Sequence, residues 1–330
     1  MRKNDFLISV VVPCYNEEKN IPLMIDELQK HLRAYRYEVI LVDDGSSDDS
    51  SDLCERLYGE ITEVNYIRFA RNFGHQAALQ AGITCANGEA VVTIDADLQQ
   101  PPSVIPAMVK CWLDGHEIVE AIPEYTDSIG WFKKYTSYIF YWVLNKLSDY
   151  PVVKKANDFR LIDRKVADEV GRLKENHLYL RGFFSWVGFN KGFVHYDHKK
   201  RINGETHYPF YKMVRLALNG ITSMSVRPLR LALILGSIVS LIAFAIICWA
   251  LYLAVFTERT IAGWTSTIVS TLFLAGIQLL VLGIMGEYLG KLFIENKQRP
   301  NYIIRDKCIR NTVKDIEHST SKTTLIEQGV

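Results

Sequence analysis

The segment that decides the fold reads Ala90-Val91-Val92-Thr93-Ile94-Asp95-Ala96-Asp97, an apolar and β-branched run that ends in two carboxylates one residue apart. This composition predicts a buried strand. In α/β proteins, the carboxyl end of such a strand is a common place to hold a metal ion or a polar ligand. Because Asp-x-Asp alone is a frequent pattern, its meaning depends on the segments before and after it.

Two earlier segments repeat the order of apolar strand, polar loop and helix. Residues 6–12 are rich in β-branched residues and are followed by a proline, and residues 37–42 are followed by two aspartates and then Gly-Ser. Further strands are predicted at 65–69 and 117–121. The repetition predicts a doubly wound α/β fold with a mostly parallel sheet. Since parallel strands end at the same edge, the polar loops are expected to form one ligand site there.

The composition of the 330-residue chain excludes some classes of partner. Lys plus Arg (38) nearly equals Asp plus Glu (37), so the chain lacks the excess positive charge typical of nucleic-acid binding. The six cysteines are scattered without a C-x-x-C spacing, which favours reduced thiols. The N-terminus lacks the pattern of a signal peptide. Four histidines lack the spacing of zinc ligands: His75, His177, His195 and His198.

Two late segments, 231–256 and 265–286, contain no charged side chain. Each is long enough to cross a membrane as a helix, whereas core helices of soluble proteins, the alternative, rarely run so far without charge. The connection between them is short and predicts a helical hairpin. Basic residues flank its outer ends, against Arg259 alone in the connection. The positive-inside rule therefore places both chain ends in the cytoplasm and makes this a multi-pass protein of the inner membrane.

These patterns predict three parts of the chain. Residues 1–225 form a cytoplasmic domain, residues 229–290 carry the two transmembrane helices, and residues 291–330 form a cytoplasmic C-terminal tail. Runs of aromatic and cationic residues near 131–147 and 208–222 predict interfacial helices at the lipid headgroups, with ordinary core-facing helices as the alternative.

Several motifs, in this order, resemble the family 2 glycosyltransferases with the GT-A nucleotide-sugar-binding fold. They are VPCYNEE at 12–18, VDDGSSD at 42–48, RNFG at 71–74, DADLQQP at 95–101 and NDFRL at 157–161. Within that family, the motifs at 181–188, 201–206, 225–230 and 286–290 make the chain similar to the polyprenyl-phosphate glycosyltransferases, which include dolichyl-phosphate mannose synthase and the bacterial bactoprenol glucosyltransferases. The likeness extends from about residue 6 to residue 305.

The resemblance implies an inverting hexosyltransferase at the cytoplasmic face of the membrane. It would move glucose from a UDP-sugar to undecaprenyl or another polyprenyl phosphate and so supply a lipid-linked sugar for cell-surface glycans. Its partners would be the UDP-sugar, the polyprenyl phosphate and the lipid bilayer, and a homo-oligomer and a flippase for the product are also allowed. The open alternatives are UDP-GlcNAc, another UDP-sugar or GDP-mannose as donor, a processive synthase, for which two spans are too few, and a nucleotide-sugar-binding membrane subunit without turnover.

A divalent cation, Mg²⁺ or Mn²⁺, would stabilise the charge on the leaving diphosphate. Such an ion needs only one or two protein carboxylates, because phosphates and waters fill its other positions. The resemblance makes Asp97 the direct ligand, with Gln99 near it, and places Asp95 beside the metal, the ribose and the donor sugar. The alternative is that these carboxylates cap the helix that follows.

Contacts to the nucleotide sugar are implied for the first two loops, for the segment after the third strand and for the Asp-x-Asp segment. The residues are Pro13, Tyr15, Asn16, Glu17, Asp43, Asp44, Gly45, Ser46, Asn72, Gly74, Gln76, Asp95, Ala96 and Asp97. For the second loop, a turn alone explains Asp-Asp-Gly-Ser equally well, because Gly and Ser are turn residues.

Two carboxylates, Asp97 and Asp158, are implied to be catalytic, the latter as a base. A phosphate monoester has its second pKa at about 6 and is already mostly a dianion at neutral pH, so it needs little deprotonation. Asp158 could instead orient the acceptor or help to hold the metal.

The acceptor or diphosphate is implied to contact Arg160, Arg201, Thr206 and His207. Arg160 could hold phosphate through its planar fork or pair with a nearby acid. The chain departs from its relatives at two places, because Ile122 lies near where many of them carry an arginine and His207 stands where they usually carry a lysine. The route by which the diphosphate is neutralised is therefore open.

Overall fold

A computed structural model of the chain describes residues 6–124, 158–175, 178–197, 226–256 and 263–310. The chain divides into two compact units. The first comprises Met1–Lys134, Val153–His207 and Pro300–Val330, and the second comprises Tyr135–Val152 and Tyr208–Arg299. The segment after Pro300 therefore belongs to the same unit as the N-terminal strands.

The first unit is built on an eight-stranded sheet. Its strands are β1 (Leu7–Cys14), β2 (Arg36–Asp43), β3 (Val64–Phe69), β4 (Ala90–Thr93), β5 (Ile118–Glu124), β6 (Arg160–Asp163), β7 (Lys191–Asp197) and β8 (Ile304–Cys308). The order across the sheet is β7-β5-β6-β4-β1-β2-β3-β8. Only β6 and β8 run antiparallel to their neighbours in this sheet. The predicted mostly parallel α/β sheet is confirmed.

Helices cover both faces of this sheet. They are α1 (Ile21–Leu32), α2 (Ser50–Glu60), α3 (His75–Cys85), α4 (Ile105–Leu113), α5 (Arg164–Arg172) and α6 (Leu180–Trp186). Successive side chains of a strand point to opposite faces, and Val10 and Val11 of β1 accordingly belong to two different buried clusters. Burial on both faces explains why β1 reads as a continuous apolar run rather than an alternating one.

At the carboxyl edge of the sheet, the ends of parallel strands lie beside the beginning of an antiparallel strand. β1, β2 and β4 run parallel and end at this edge. β6 lies antiparallel beside β4, with Arg160 opposite Thr93, so its first residues meet the last residues of β4. Asp158, just before β6, is thereby placed beside the Asp-x-Asp segment.

The C-terminal segment 300–310 adds the edge strand β8 to β3, where the sequence predicts a tail from residue 291 onward. Tyr302 stacks on Phe69 with ring centroids 5.1 Å apart. Arg310 donates to the carbonyl oxygens of Tyr58, Ile61 and Thr62 at the end of α2 and lies over the Tyr58 ring. The sequence pattern does not predict β8, because the central residues of this strand are charged and exposed, as is common in edge strands.

The second unit contains two long helices, α7 (Arg227–Phe256) and α8 (Trp264–Asn296), which contact each other. They coincide with the helices predicted at 231–256 and 265–286. Among the described residues, one stretch, Phe273–Asn296, is long and apolar enough to cross a membrane, and α7 contains a shorter apolar stretch, Ala232–Ile246. The aromatic runs near 131–147 and 208–222 lie outside the described residues, so no interfacial helix is described.

Candidate active site

The Asp-x-Asp segment leaves β4 in a shape that its own side chains maintain. The backbone N–H of Asp95 donates to Gln100 Oε1 at 3.0 Å, and Gln100 Nε2 donates to Asp95 Oδ2 at 2.6 Å. Asp97 Oδ1 accepts from the backbone N–H of Gln99 at 3.1 Å. Leu98 has a φ of +60°, which is strained for a non-glycine residue and is a feature found at functional sites. Two carboxylates are thus held at the edge of the sheet.

Asp158 lies in a group of charged side chains, here called the acid–cation cluster, that consists of Asp95, Asp158, His75, Arg160 and Arg181. Arg181 donates from Nε and Nη2 to the two oxygens of Asp158, at 3.1 and 2.9 Å. His75 Nε2 lies 3.4 Å from an oxygen of Asp158 and 3.4 Å from Asp95 Oδ1. Arg160 Nη2 lies 3.7 Å from Asp158. One buried carboxylate is therefore surrounded by three cationic side chains.

This arrangement shifts the pKa values of the cluster in different directions. Burial favours the neutral form of Asp158, but the hydrogen bond with His75 and the charge of Arg181 outweigh it and hold its pKa well below the usual range. Burial raises the pKa of Asp95 to about 6, against the attraction of His75. Burial opposes charge on His75, but Asp158 and Asp95 produce a net rise in its pKa. Asp158 is consequently an ionised and very weak base at neutral pH.

The raised pKa of His75 predicts a pH-dependent stability. A histidine whose pKa is higher in the folded chain stabilises the fold fully below its unfolded pKa of about 6.5, and this contribution is lost as pH rises through the folded pKa. Asp95 acts with the same sign at lower pH, between about 4 and 6. We expect the thermal unfolding midpoint to fall as pH rises above about 6.5, and to fall less in His75→Gln.

This pH dependence is to be measured on the purified chain in EDTA without nucleotide. His31→Gln, which removes a histidine from α1, is the matched control. Equal slopes of midpoint against pH for the parent chain and His75→Gln would contradict the expectation.

The two aspartates of the second loop are fully engaged inside the protein. Asp43 is 0% exposed and accepts from the N–H and hydroxyl of Ser46 and from the hydroxyl of Ser51. Asp44 is 3% exposed and accepts from the backbone N–H groups of Phe73 and Gly74, at 2.7 and 2.9 Å. These contacts tie the second loop to the segment after β3. The Asp43–Ser46 contacts are those of a turn, whereas the Asp44 contacts join two separate loops.

Gly45 explains why this loop packs so closely. It has a φ of +67°, and a Cβ atom there would lie 2.4 Å from the backbone carbon of Arg71. Only glycine fits this combination of left-handed backbone and close approach. The positions of Asn72 and Gly74 beside the second loop follow from this contact and from those of Asp44.

The first loop is bound to the second through main-chain and side-chain contacts. Asn16, with a φ of +57°, donates its N–H to Ser46 Oγ at 3.0 Å and accepts from the N–H of Ser47 at 2.9 Å. The N–H of Glu17 donates to Ser50 Oγ at 2.9 Å. Pro13 is buried, whereas the Tyr15 side chain projects from the loop and is 47% exposed. Tyr15 is thus an exposed aromatic side chain of this loop that a ligand can reach.

Arg160 lies beneath the surface of the site. It is 2% exposed, pairs with Asp158 and places its guanidinium 4.3 Å from the centre of the Phe184 ring. This position agrees with the alternative in which Arg160 pairs with a nearby acid. Ile122 lies half-buried on β5. The other acceptor-site predictions, Arg201, Thr206 and His207, lie outside the described residues.

Three residues of the site received no role from the sequence. The spacing of His75 does not suit a zinc ligand, although the residue directly follows the RNFG motif. Arg181 and Gln100 stand within quoted motifs, but the sequence does not show which acid each one contacts. Gln76 received only a nucleotide-sugar contact, yet it bonds to Asp158 at 3.4 Å and accepts from the N–H of Leu180 at 3.1 Å.

The donor atoms of the Asp-x-Asp segment suit a hard divalent cation. Asp95 Oδ1 is buried and has no hydrogen-bond partner among the described residues, although it faces His75. No group of three or more His, Cys, Asp or Glu side chains able to hold a metal occurs in the described ranges. An ion that also binds a diphosphate needs only one or two protein carboxylates, since phosphate oxygens complete its coordination shell. The residues therefore fit such a cation.

The fold is a GT-A-like α/β fold, a mostly parallel sheet covered by helices. Residues 9–171 match the family described as glycosyl transferase family 2. The chain is 43% identical over 303 residues to the uncharacterized glycosyltransferase YkcC of Bacillus subtilis, covering 90% of this chain and 93% of that protein. The chain belongs to glycosyl transferase family 2, and it is a hexosyltransferase.

Two relatives carry more specific names. The prophage bactoprenol glucosyl transferase homolog of Escherichia coli K12 is 37% identical, with 90% of this chain and 98% of that protein covered. The bactoprenol glucosyl transferase of Shigella phage SfV is 37% identical, with coverages of 91% and 98%. A solved structure of glucosyl-3-phosphoglycerate synthase from Mycobacterium tuberculosis with Mn²⁺ and UDP-glucose aligns with a TM-score of 0.48 at 19% identity, covering 68% and 80% of the two chains.

Proposed function

We propose that the protein transfers glucose from UDP-glucose to undecaprenyl or another polyprenyl phosphate, with inversion at the anomeric carbon. The observation that carries this proposal is the 37% identity, over about nine tenths of the chain, to proteins named bactoprenol glucosyl transferase. The acids at the carboxyl edge of the sheet supply the charged site that such a transfer needs.

The chemistry proposed is a single displacement. An oxygen of the acceptor phosphate forms a bond to the anomeric carbon while the bond from that carbon to the donor diphosphate breaks, and UDP leaves. Because the acceptor is mostly a dianion at neutral pH, no protein base has to remove a proton. This agrees with the depressed pKa of Asp158. Catalysis then consists of positioning and of stabilising charge.

The metal is proposed to be held by Asp97 and Asp95, with Gln99 near them. When bound, Mg²⁺ or Mn²⁺ supplies positive charge to the leaving diphosphate. Gln100 orients Asp95 by donating to its carboxylate and by accepting from its backbone N–H. His75 lies between Asp95 and Asp158 and limits the repulsion between the two carboxylates.

The nucleotide is proposed to lie against the first loop, where Tyr15 is exposed. Asp43 and Asp44 then serve the nucleotide indirectly, because their oxygens hold the two loops and the segment after β3 in place. Asn16, Gly45, Ser46 and Gly74 belong to the same framework of loops.

The helices α7 and α8 are proposed to cross the membrane as a hairpin. Many of their large apolar side chains are exposed, for example Leu241 at 73% and Leu279 at 70%, a surface that water does not favour. β8 follows α8 and lies in the same sheet as β1. The chain must therefore return to the side it left, so that any crossing by α8 requires a second crossing.

The sidedness follows from the charge pattern. Basic residues flank the outer ends of the hairpin, and the positive-inside rule supports a multi-pass protein of the inner membrane with the sheet domain and the C-terminal segment in the cytoplasm. Helices at the headgroup boundary near 131–147 and 208–222 belong to this proposal. A homo-oligomer and a flippase have no support in the comparisons and are not part of it.

The hairpin predicts opposite accessibility of two positions. A cysteine at Gly263, which precedes α8, is expected to react with a membrane-impermeant maleimide in intact spheroplasts. A cysteine at Lys307 on β8 is expected to react only after permeabilisation. The parent chain corrects for the native cysteines. Equal labelling of both variants in intact spheroplasts would exclude a two-span hairpin.

The activity is tested by incubating membranes that contain the protein with labelled UDP-glucose, undecaprenyl phosphate and Mg²⁺, followed by lipid extraction. Label in the lipid fraction is expected, and a panel of UDP-GlcNAc, UDP-galactose and GDP-mannose ranks the donors. Absence of lipid label with every donor would refute the proposed activity. Binding of a nucleotide sugar without any transfer would favour the non-catalytic subunit.

A further inference from the structure

We propose that Arg181 is a phosphate-binding residue of the transfer site and that Asp158 is the residue that positions it. The proposal rests on the proposed function, because the phosphate oxygens come from the donor diphosphate or from the acceptor phosphate. It assigns a role to the shortest ion pair in the acid–cation cluster, at 2.9 Å, and gives Asp158 a role other than that of a base.

The first step is the geometry of the guanidinium. Arg181 uses Nε and Nη2 on the two oxygens of Asp158, so one edge of its planar fork is fixed. Its Nη1 group has no hydrogen-bond partner within the part of the chain that the structure describes, and the side chain is 37% exposed. A second edge of the same fork is therefore presented outward, where an oxyanion can accept from it.

The second step is the balance of charge around Asp158. Arg160, at 2% exposure, already faces this carboxylate from below, and His75 faces it from the side. The three cationic side chains are shared with other acids, because His75 also faces Asp95 and Arg160 also lies near Glu120. Arg181, at 37% exposure against 2% for Arg160, is the arginine whose charge a ligand anion can reach.

The third step is the rigidity of the support. Arg181 is the second residue of α6, and the N–H of Leu180 before it donates to Gln76 Oε1 at 3.1 Å. Leu180 and Phe184 are each 1% exposed and anchor this helix in the core. The guanidinium is thus held at both its backbone and its Asp158 edge. A fixed donor contributes more to charge stabilisation than a mobile one, because it needs no reorganisation during the reaction.

The fourth step is the position of the outward edge. Asp158 and Asp95 are bridged by His75, so Arg181 lies in the same cluster as the Asp-x-Asp segment. A diphosphate attached to a metal at Asp95 and Asp97 would bring oxyanions to this cluster. A phosphate monoester that attacks the same donor must approach the same place. The shared chemistry is a phosphate oxyanion, and kinetics separate its two sources.

The principal test compares Arg181→Gln and Arg181→Lys with the parent chain, using labelled UDP-glucose and undecaprenyl phosphate. We expect kcat/KM to fall by about 10²–10³ in Arg181→Gln, the usual loss for one removed oxyanion donor. An increased dissociation constant for UDP would identify the donor diphosphate as the ligand. An increased KM for undecaprenyl phosphate with unchanged UDP binding would identify the acceptor.

The lysine variant separates phosphate binding by Arg181 from neutralisation of the buried Asp158 charge. Lysine keeps one positive charge beside Asp158 but lacks the fork that bonds in two directions. We expect Arg181→Lys to keep an unfolding midpoint near that of the parent and to lose at least about tenfold in kcat/KM. Arg172→Gln, which removes a 73%-exposed arginine from α5, is the matched control and should behave as the parent.

Arg181→Lys covers the case in which Arg181→Gln fails to fold, because lysine keeps a positive charge beside Asp158. A double variant, Arg181→Gln with Asp158→Asn, removes both charges of the pair but leaves Arg160 beside a neutral amide, so we expect it to be less stable than the parent, with UDP or acceptor binding still weakened. Recovery of parental activity within about threefold in the double variant, or parental kinetics in Arg181→Lys, would overturn the proposal. Absence of transfer by the parent chain itself would instead count against the proposed function.

Discussion

Asp97→Asn is expected to lower lipid glucosylation by about 10³-fold or more. The change replaces a carboxylate by a neutral amide of nearly equal size. It weakens the binding of a divalent cation and leaves the packing of the 8%-exposed side chain unchanged. The bound cation stabilises the charge on the leaving diphosphate by several kcal/mol. Its loss gives a factor of this size, since each 1.36 kcal/mol changes the rate about tenfold. The asparagine oxygen can still accept from the N–H of Gln99.

The measurement is the initial rate of label transfer to undecaprenyl phosphate across a titration of Mg²⁺ and Mn²⁺. Partial recovery at high metal concentration is expected, because the remaining ligands still bind the ion weakly. Asp114→Asn, at an exposed position just after α4, is the control for loss of one acidic charge. An Asp97→Asn enzyme with the parental rate and the parental metal dependence would refute the assignment of Asp97.

Asp158→Ala is expected to destabilise the first unit by about 3–5 kcal/mol. Removing one partner of a buried ion pair leaves the other charge buried without compensation. Arg160, which is 2% exposed, would be the charge left behind, and Arg181 would lose both bonds of its fixed edge. This expectation concerns folding and is independent of whether Asp158 takes part in the chemistry.

Urea unfolding of the purified chain, followed by circular dichroism, measures this loss. Asp158→Asn should lose less, because its amide oxygen still accepts one hydrogen bond. The control Asp168→Ala removes a 57%-exposed acid from α5 and is expected to change stability by less than about 0.5 kcal/mol. An Asp158→Ala midpoint equal to that of the control would contradict the role of the cluster.

The sign of the pH effect provides a further check on Asp158. Its pKa is lower in the folded chain, so its contribution to stability is present above its unfolded pKa of about 3.9 and is lost as pH falls below that value. Asp158→Asn should therefore flatten the acid side of the stability curve. His75 acts at the opposite end, because its pKa is raised.

Local patterns were sufficient for the first five strands and for the helices between them. β1 and β4 are apolar and β-branched because they are buried on both faces, and this composition is visible along the chain. The polar loops after these strands could be placed at one edge because parallel strands force their ends together. The long helices α7 and α8 could also be predicted from local sequence, because each contains an uninterrupted apolar segment.

The acids of the second loop show where a local pattern leaves two interpretations open. Asp43 and Asp44 follow a strand and precede a turn, so both a ligand role and a structural role suit the sequence. The structure buries both side chains and engages their oxygens with neighbouring loops. Those partners lie about 30 residues away in the case of Asp44, a distance in sequence that no local pattern reports.

By itself, the sequence determined the α/β class, the acidic edge of the sheet, the two long apolar helices and the resemblance to family 2 glycosyltransferases. Only the tertiary structure decided that β6 enters antiparallel between β4 and β5, that β8 closes the edge of the sheet, and that Arg181 and His75 meet at Asp158. The physical reason is that strand identity depends on neighbouring residues. Strand order and charge pairing depend instead on contacts between segments far apart in the chain.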